Sequence, residues 1–311
     1  MSIIIPANTL ASGGYEVANS VRLFSNTYMH KTSGTGNRRT FTISTWLKRS
    51  GITVGNEQHF FNAWIDSDYR FMFYFDTSDR LVCRNMDNGS ANLYFVSNRV
   101  FRDISAWYNF IVAIDTTQGT EANRVKIYVN GVQETSFSTD TYPDQNTDLS
   151  LGTDSYSYQI GRYGGDSNYL DGYLSEYCMI DASALAPTSF GEFDEDSGIW
   201  KPIKVSGLTF GTNGFYLDFE ASGNLGNDAN GGTDLTEVNL AAVDQSTDTC
   251  TNNFATLNRL ITGANFVFSE GNLVIAQSAT NWDSAYSTIG VSKGKWYMEF
   301  KGKVGGYFDI G

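Results

Sequence analysis

The chain has 311 residues, enough for two ordinary β-domain cores, with 14% aromatic and only 18% charged residues. Its 34 acidic against 21 basic side chains give a net charge of −13, which argues against nucleic acid as a partner, because phosphate binding needs a concentrated basic surface. Tyr, Phe, Thr, Ser, Asn and Gly are abundant and no long stretch carries helical apolar spacing, so an all-β protein is expected.

The opening "MSIIIPANTLASGG" has neither a basic leader nor a long apolar core, and reads as no secretory signal. No stretch approaches the roughly 18 apolar residues of a membrane-spanning helix. The expectation is synthesis in a cytoplasm, with release by a route other than secretion if the protein acts outside the cell. Cys83, Cys178 and Cys250 are far apart and odd in number, with no Cys-x-x-Cys or Cys/His cluster. They indicate neither zinc nor a disulfide framework, and read as thiols buried like small hydrophobes.

Strand candidates follow at short intervals: "FTISTWLKR" (41–49), "YRFMFYF" (69–75), "RLVCRN" (80–85) and "WYNFIVAID" (107–115). In "VKIYVNGVQETSF" (125–137), apolar and polar residues alternate on both sides of Asn130-Gly131. That pair suits a type I′ turn, where both central residues need positive φ, so two antiparallel strands are expected. "SYQIGRY" (157–163) and "GYLSEYCMID" (172–181) complete the series, and a short helix or 3₁₀ turn limited by Pro187 is expected in "DASALAPTSF". Many short strands separated by Asp, Asn, Ser and Gly imply an antiparallel β-sandwich or jelly roll.

The elements "FTISTWLKRSG", "AWYNFIVAID", "VKIYVNGVQ", "YQIGRY" and "YLDGYLSEYCMID", in that order, resemble the concanavalin A-like lectin/glucanase sandwich in its laminin-G or pentraxin-like form. The resemblance covers about residues 15–185 and implies fold more firmly than function. Beyond it, "GFYLDFE" (214–220) reads as a strand among loops. "TNGFYLDFEASGNLGNDANGG" with "DQSTDTCTNNFATLN" resembles a connector of large phage virion proteins, whose usual D-x-P-T-N-N-F has Cys250 here at the Pro position. "STIGVSKGKWYMEF" and "GYFDIG" resemble the opening half of a SPRY domain. The implied organisation is a lectin-like sandwich over 1–190, a connector over 191–258, and the start of a second, incomplete SPRY-like sandwich over 259–311. Half a sandwich leaves an open edge, so either a longer natural chain or completion of the sheet by another subunit is expected, the first being favoured.

Chemistry is sparse. "EFDED" (Glu192, Asp194, Asp196) has the carboxylate spacing of laminarinase-like glycosidases, but its Ser- and Gly-rich surroundings describe an acidic loop. Glu176 lies on a strand whose next same-face positions are Cys178 and Ile180, so it has no second carboxylate for a double displacement and reads as a paired or bulge residue. "GVSKG" around Ser292 mimics a nucleophile elbow but continues into "KWYMEF", read as a strand rather than the required helix. No enzyme is indicated.

The lectin resemblance implies loop sites. For sugar, Trp64 in "NAWIDSD" and Tyr156 and Tyr158 in "DSYSYQ" are the candidates, against the alternative that alternate tyrosines simply pack. For calcium, the one cofactor the resemblance raises, the candidates are Asp66 and Asp68, with Asp228 and Asp234 in a second oxygen-rich loop; plain turn chemistry explains both loops equally well. The connector and composition together suggest a bacteriophage virion protein of the fibre, spike or decoration kind. It would be a homo-oligomer, trimeric if a fibre, contacting other virion proteins and a host-surface glycan or protein. A glycan-cleaving depolymerase of the same fold and a purely architectural virion protein are the alternatives.

Overall fold

In "RFMFYF" the phenylalanines take every second place, and strand geometry sends Phe71, Phe73 and Phe75 to one side and Arg70, Met72 and Tyr74 to the other. That alternation, repeated along the chain, builds two facing sheets. The computed structural model describes residues 14–52, 56–165, 167–260, 262, 265–277 and 283–302. In chain order the strands are β1 (Ser20–Leu23), β2 (Tyr28–Thr32), β3 (Thr40–Arg49), β4 (Gln58–Trp64), β5 (Arg70–Phe75), β6 (Arg80–Asp87), β7 (Ser90–Val100) and β8 (Trp107–Asp115). They continue as β9 (Val125–Val129), β10 (Val132–Gln133), β11 (Phe137–Thr141), β12 (Ser157–Ile160) and β13 (Gly172–Asp181). Short strands β14 (Gly191–Phe193), β15 (Trp200–Pro202), β16 (Phe215–Leu217), β17 (Thr236–Val238) and β18 (Gln245–Ser246) follow, then the hairpin β19 (Phe266–Ser269) and β20 (Val274–Gln277).

The first sheet runs β10-β9-β8-β3-β13-β1-β18, with β16 also pairing β13; the second runs β11-β7-β6-β5-β4-β12-β2-β17. All pairings within them are antiparallel. The chain is the all-β, antiparallel sandwich that the strand spacing implies. Between the sheets lies one core that includes Phe41, Phe60, Phe61, Phe71, Phe73, Phe75, Phe95, Phe101 and Phe110. Phe60, Phe75, Phe101 and Phe110 touch ring to ring, with centroids 5.0–6.0 Å apart. Each such pair adds about 0.5–1.5 kcal/mol beyond the area it buries.

The Asn130-Gly131 turn has φ of 50° and 75°, as a type I′ turn requires. The expected second strand is only two residues long, because the chain leaves β9 after Gln133 and crosses to pair β11 with β7 in the other sheet. The 3₁₀ turn near Pro187 is present over Pro187–Ser189, with the proline opening it rather than ending it, since a missing N–H costs nothing at a first helical position. Strands β1, β2, β4, β7 and β11 are not among the stretches singled out from sequence. Cys83, Cys178 and Cys250 are all buried and unpaired.

The segment after residue 190 supplies strands to both sheets, β16 and β18 to the first and β17 to the second. The turn of the β19–β20 hairpin caps the end of the first sheet: the Tyr173 hydroxyl donates to Gly271 O at 2.9 Å, and Arg22 pairs with Glu270 at 2.6 Å. Residues 295–300, expected as a strand, form no strand, and Trp296, Tyr297, Met298 and Phe300 stand about half exposed. The "GYFDIG" motif lies outside the described residues. No helix among the described residues is long and apolar enough to cross a membrane.

Candidate functional site

The outward face of the second sheet is where chemistry-bearing side chains gather. Register places them in rows across the strands. One row reads His30, Gln159, Asn62, Met72, Arg84 and Tyr94 over β2, β12, β4, β5, β6 and β7. The next reads Thr32, Ser157, Trp64, Arg70 and Met86. A third joins His59, Tyr74, Val82 and Val96. The loop after β12 folds Arg162, Tyr163 and Gly164 back across these rows.

The aromatic groups interlock. Tyr163 meets Trp64 edge to face, with centroids 4.9 Å apart, and meets His59 at 5.1 Å. His59 stacks flat on Tyr74 at 4.3 Å. The Arg70 guanidinium lies 5.8 Å from both the Trp64 and Tyr163 ring centroids. Arg84 sits 4.7 Å from the centre of Tyr94, and Arg162 lies 3.6 Å over Tyr28. Gly164 is required beneath Trp64, since a Cβ there would lie 2.1 Å from the indole.

Polar groups are held as firmly. Asn62 donates from Nδ2 to His59 Nδ1 at 2.9 Å and to Arg162 O at 3.0 Å. His59 Nε2 lies 3.0 Å from a Glu57 carboxylate oxygen, which assigns the ring proton to Nε2. Burial pushes the His59 pKa down, with nearby Arg70 adding to the fall and Glu57 opposing it, so the ring is neutral at pH 7. Gln159 Oε1 accepts from Arg162 Nε at 2.6 Å. Asn62 Oδ1, Arg70 Nε and Nη1, and Arg84 Nε are buried without a protein hydrogen-bond partner. This face therefore offers aromatic surface for stacking, laid over buried hydrogen-bonding groups the protein does not itself satisfy.

Of the side chains singled out from sequence, Trp64 belongs to this face and is half-buried. Tyr158 points the other way, fully buried between the sheets, its hydroxyl accepting the Gly152 N–H at 2.8 Å. Tyr156 is 8% exposed, at the adjoining end of the sandwich. Asp66 and Asp68 lie in the exposed loop beyond Trp64. Asp66 Oδ1 accepts the Asp68 and Tyr69 amides at 2.8 and 3.0 Å, and so is turned into its own loop. Asp228 and Asp234 also brace a loop, accepting the Tyr216, Asn230 and Asp228 amides. Among the described residues no three His, Cys, Asp or Glu side chains converge as a metal set. Arg70, Arg84, Arg162 and Tyr163 are the residues the sequence reading missed; for Arg70 the signal was parity with Met72 and Tyr74, opposite the phenylalanines.

The carboxylates weighed for hydrolysis lie elsewhere. Glu176 sits on β13 of the first sheet, where the register shifts between Ser175 and Cys178 and its φ is 49°, so it is the expected bulge residue. Its carboxylate accepts the Tyr216 and Tyr15 hydroxyls at 2.6 and 3.2 Å. Burial raises its pKa to about 7, against the lowering by those hydrogen bonds. Both tyrosines also line a cavity of about 420 Å³ with Asp218 and Glu220. Glu192 and Asp194 stand on the β14–β15 hairpin, both bound to Lys201. Asp194 is held down to about 2 by the Ser197 N–H and hydroxyl.

A sequence model of the concanavalin A-like lectin/glucanases superfamily matches residues 24–187, more than half of the chain. The chain belongs to this superfamily. No curated protein matches it. Among solved structures, the superfamily member is similar to a heptameric SAP-like pentraxin from Limulus polyphemus, at 16% identity over 56% of this chain and 80% of that one, with a TM-score of 0.40. It is similar to domain 4 of a GH43 extracellular arabinanase from Geobacillus stearothermophilus, solved with arabinotriose, at 16% identity over 58% and 82%, TM-score 0.40. Domains LG4–5 of the mouse laminin α1 chain match at 11% identity over 68% and 50%, TM-score 0.39. This lectin/glucanase sandwich thus presents its gathered polar and aromatic side chains on a sheet face, with the loop of Arg162, Tyr163 and Gly164 laid over it.

Proposed function

We propose that this superfamily member binds glycans without cleaving them, on the outward face of the second sheet around Trp64, Arg70 and Tyr163. The observation that carries the reading is the Trp64–Tyr163–Arg70 cluster, beside the unsatisfied polar atoms of Asn62 and Arg84. Sugars present apolar C–H faces that stack on aromatic rings and hydroxyls that need donors and acceptors, and this surface supplies both. Glu57, the carboxylate bound to this face, is occupied by His59 and by Asn168 at 3.3 Å, an arrangement that suits orientation rather than acid catalysis. A glycan array probed with the full chain, then with Trp64→Ala and Tyr163→Ala, tests it. Binding that falls at least about tenfold in both variants is expected. Binding indifferent to both would place the site elsewhere, and an array with no hits would end the reading. Release of reducing ends from a bound glycan would show that cleavage occurs.

The setting we propose is the virion of a bacteriophage, with the chain as a fibre, spike or decoration protein organised as a lectin-like sandwich, a connector and a SPRY-like beginning. Its support is the likeness of "DQSTDTCTNNFATLN" to phage connectors and of "STIGVSKGKWYMEF" to SPRY domains. Multiple copies would make weak single-site affinity effective. Cryo-electron microscopy of particles carrying this chain tests the proposal: ordered density against portal, tail or capsid would assign the sandwich to anchoring, and projecting copies would assign it to the host surface.

A further inference from the structure

We infer that the saccharide this face selects is anionic, a uronic-acid or sulfated sugar, and that Arg84 and Arg70 are its specificity-determining residues. The inference rests on the glycan-binding reading above and adds the charge class.

The starting point is a mismatch. The chain carries 34 acidic against 21 basic side chains, so carboxylates to neutralise an arginine are plentiful. Arg22, Arg39, Arg49, Arg80, Arg102 and Arg259 each have one within 3.0 Å. Arg70 and Arg84 have none among the described residues, although both stand on a protein with a large negative charge. Pairing register makes them diagonal neighbours: Arg70 opposes Met86, and Arg84 opposes Met72 on the same face. Such positions lie roughly 7–8 Å apart at the backbone, near enough for two guanidinium groups to serve one ligand.

Each guanidinium is also preorganised. Arg70 is held between two rings with Nε and Nη1 buried, while Nη2 is neither buried without a partner nor hydrogen-bonded. Arg84 lies on Tyr94 with Nε buried without a partner, and its guanidinium also reaches the Tyr74 side chain as a hydrogen-bond partner. Water is stripped from part of each cation, no protein anion replaces it, and the rings restrict its rotation. A cation in that state gains more from an incoming anion than a solvated surface lysine would, and the planar fork matches a carboxylate or sulfate edge. The acids of the region sit at its margins: Glu57 bound to His59, Asp66 and Asp68 in the loop beyond Trp64, and Asp87 at the end of β6.

The test uses matched probes and the full chain. Titration calorimetry would compare oligogalacturonate with its methyl ester, and dextran sulfate with dextran, at low and at physiological salt. At least about tenfold tighter binding of a charged member over its neutral partner is expected, with the preference removed in Arg84→Met and reduced in Arg70→Met. Arg84→Lys should recover part of it by restoring charge without the fork. The uronate arm and the sulfate arm separate the two sources of anion. Equal affinity for charged and neutral partners, or a preference that survives both methionine variants with unchanged melting curves, would overturn the inference and leave glycan binding standing. Absence of binding to any saccharide would remove both.

Discussion

Lys48 and Asp248 meet across 200 residues of chain, Nζ to Oδ2 at 2.8 Å, with side chains only 1% and 2% exposed. Lys48 also donates to Asn253 Oδ1 and Phe254 O, while Asp248 Oδ1 accepts Trp107 Nε1 at 3.0 Å. The "DTCTNNF" stretch is therefore a clamp on the outward side of the first sheet, and its Asp and second Asn are the groups that satisfy a buried ammonium. Burial lowers the Lys48 pKa and the Asp248 charge opposes that fall, so neither partner is tolerable alone.

From this pair comes the first prediction. Asp248→Asn or Lys48→Met leaves one buried charge uncompensated and should cost about 3–5 kcal/mol, whereas the double change to apolar residues should cost less than the sum. Urea denaturation of the three variants measures this. Additive losses would mean that the ion pair is not what holds the clamp.

Glu176 gives a pH dependence with a definite sign. Its folded pKa of about 7 exceeds the ordinary 4.5, so the folded state holds the proton more tightly than the unfolded one. That contribution is fully present below pH 4.5 and is lost as pH rises through 7; 2.5 pKa units correspond to at most on the order of 3 kcal/mol. Glu176→Gln, which mimics the protonated group, should flatten the stability profile between about pH 5 and 7. A profile unchanged by the substitution would show that Glu176 titrates normally.

The Asn130-Gly131 turn is more than a tight reversal, because Trp200 packs on it. A Cβ at Gly131 would lie 2.3 Å from the Trp200 ring, in a residue with φ of 75°. The indole cannot move freely, since its Nε1 donates to Asn109 Oδ1 at 3.1 Å. Gly131→Ala should therefore cost about 2–4 kcal/mol, strain and displaced packing together, and should expose Trp200 to fluorescence quenching. A loss below about 1 kcal/mol would mean that the turn and ring accommodate the methyl group.

How much of this could be read in the sequence divides along a physical line. Local pattern gave the hairpin turn and the strands at 41–49, 69–75 and 107–115, because alternation and φ preferences act over a few residues. Tyr158 was legible too: it shares parity with apolar Ile160, whereas Ser157 and Gln159 take the polar side, so its place was the core. Adjacency was not legible. Strand β12 lies beside β4, and the Tyr163 that follows it covers a tryptophan about a hundred residues earlier; nothing in either segment encodes the other. The clamp of Asp248 on Lys48 was hidden for the same reason, and its motif was recognisable only by likeness.

Gly164 offers the sharpest separation between a binding role and a structural one for the aromatic cluster. It lies against Trp64, with its virtual Cβ 2.1 Å from the indole, and contributes no side chain of its own to a ligand. Gly164→Ala must push the Trp64 ring away from Tyr163 and Arg70. Trp64 is half-buried on an outward face, so the fold should lose no more than about 1–2 kcal/mol, while glycan affinity falls about tenfold or more and tryptophan emission shifts. Trp64→Ala in the same assay sets the floor. If Gly164→Ala moves the ring, as the emission shift reports, yet leaves affinity unchanged, then the placement of Trp64 over Arg70 is not what recognises the sugar.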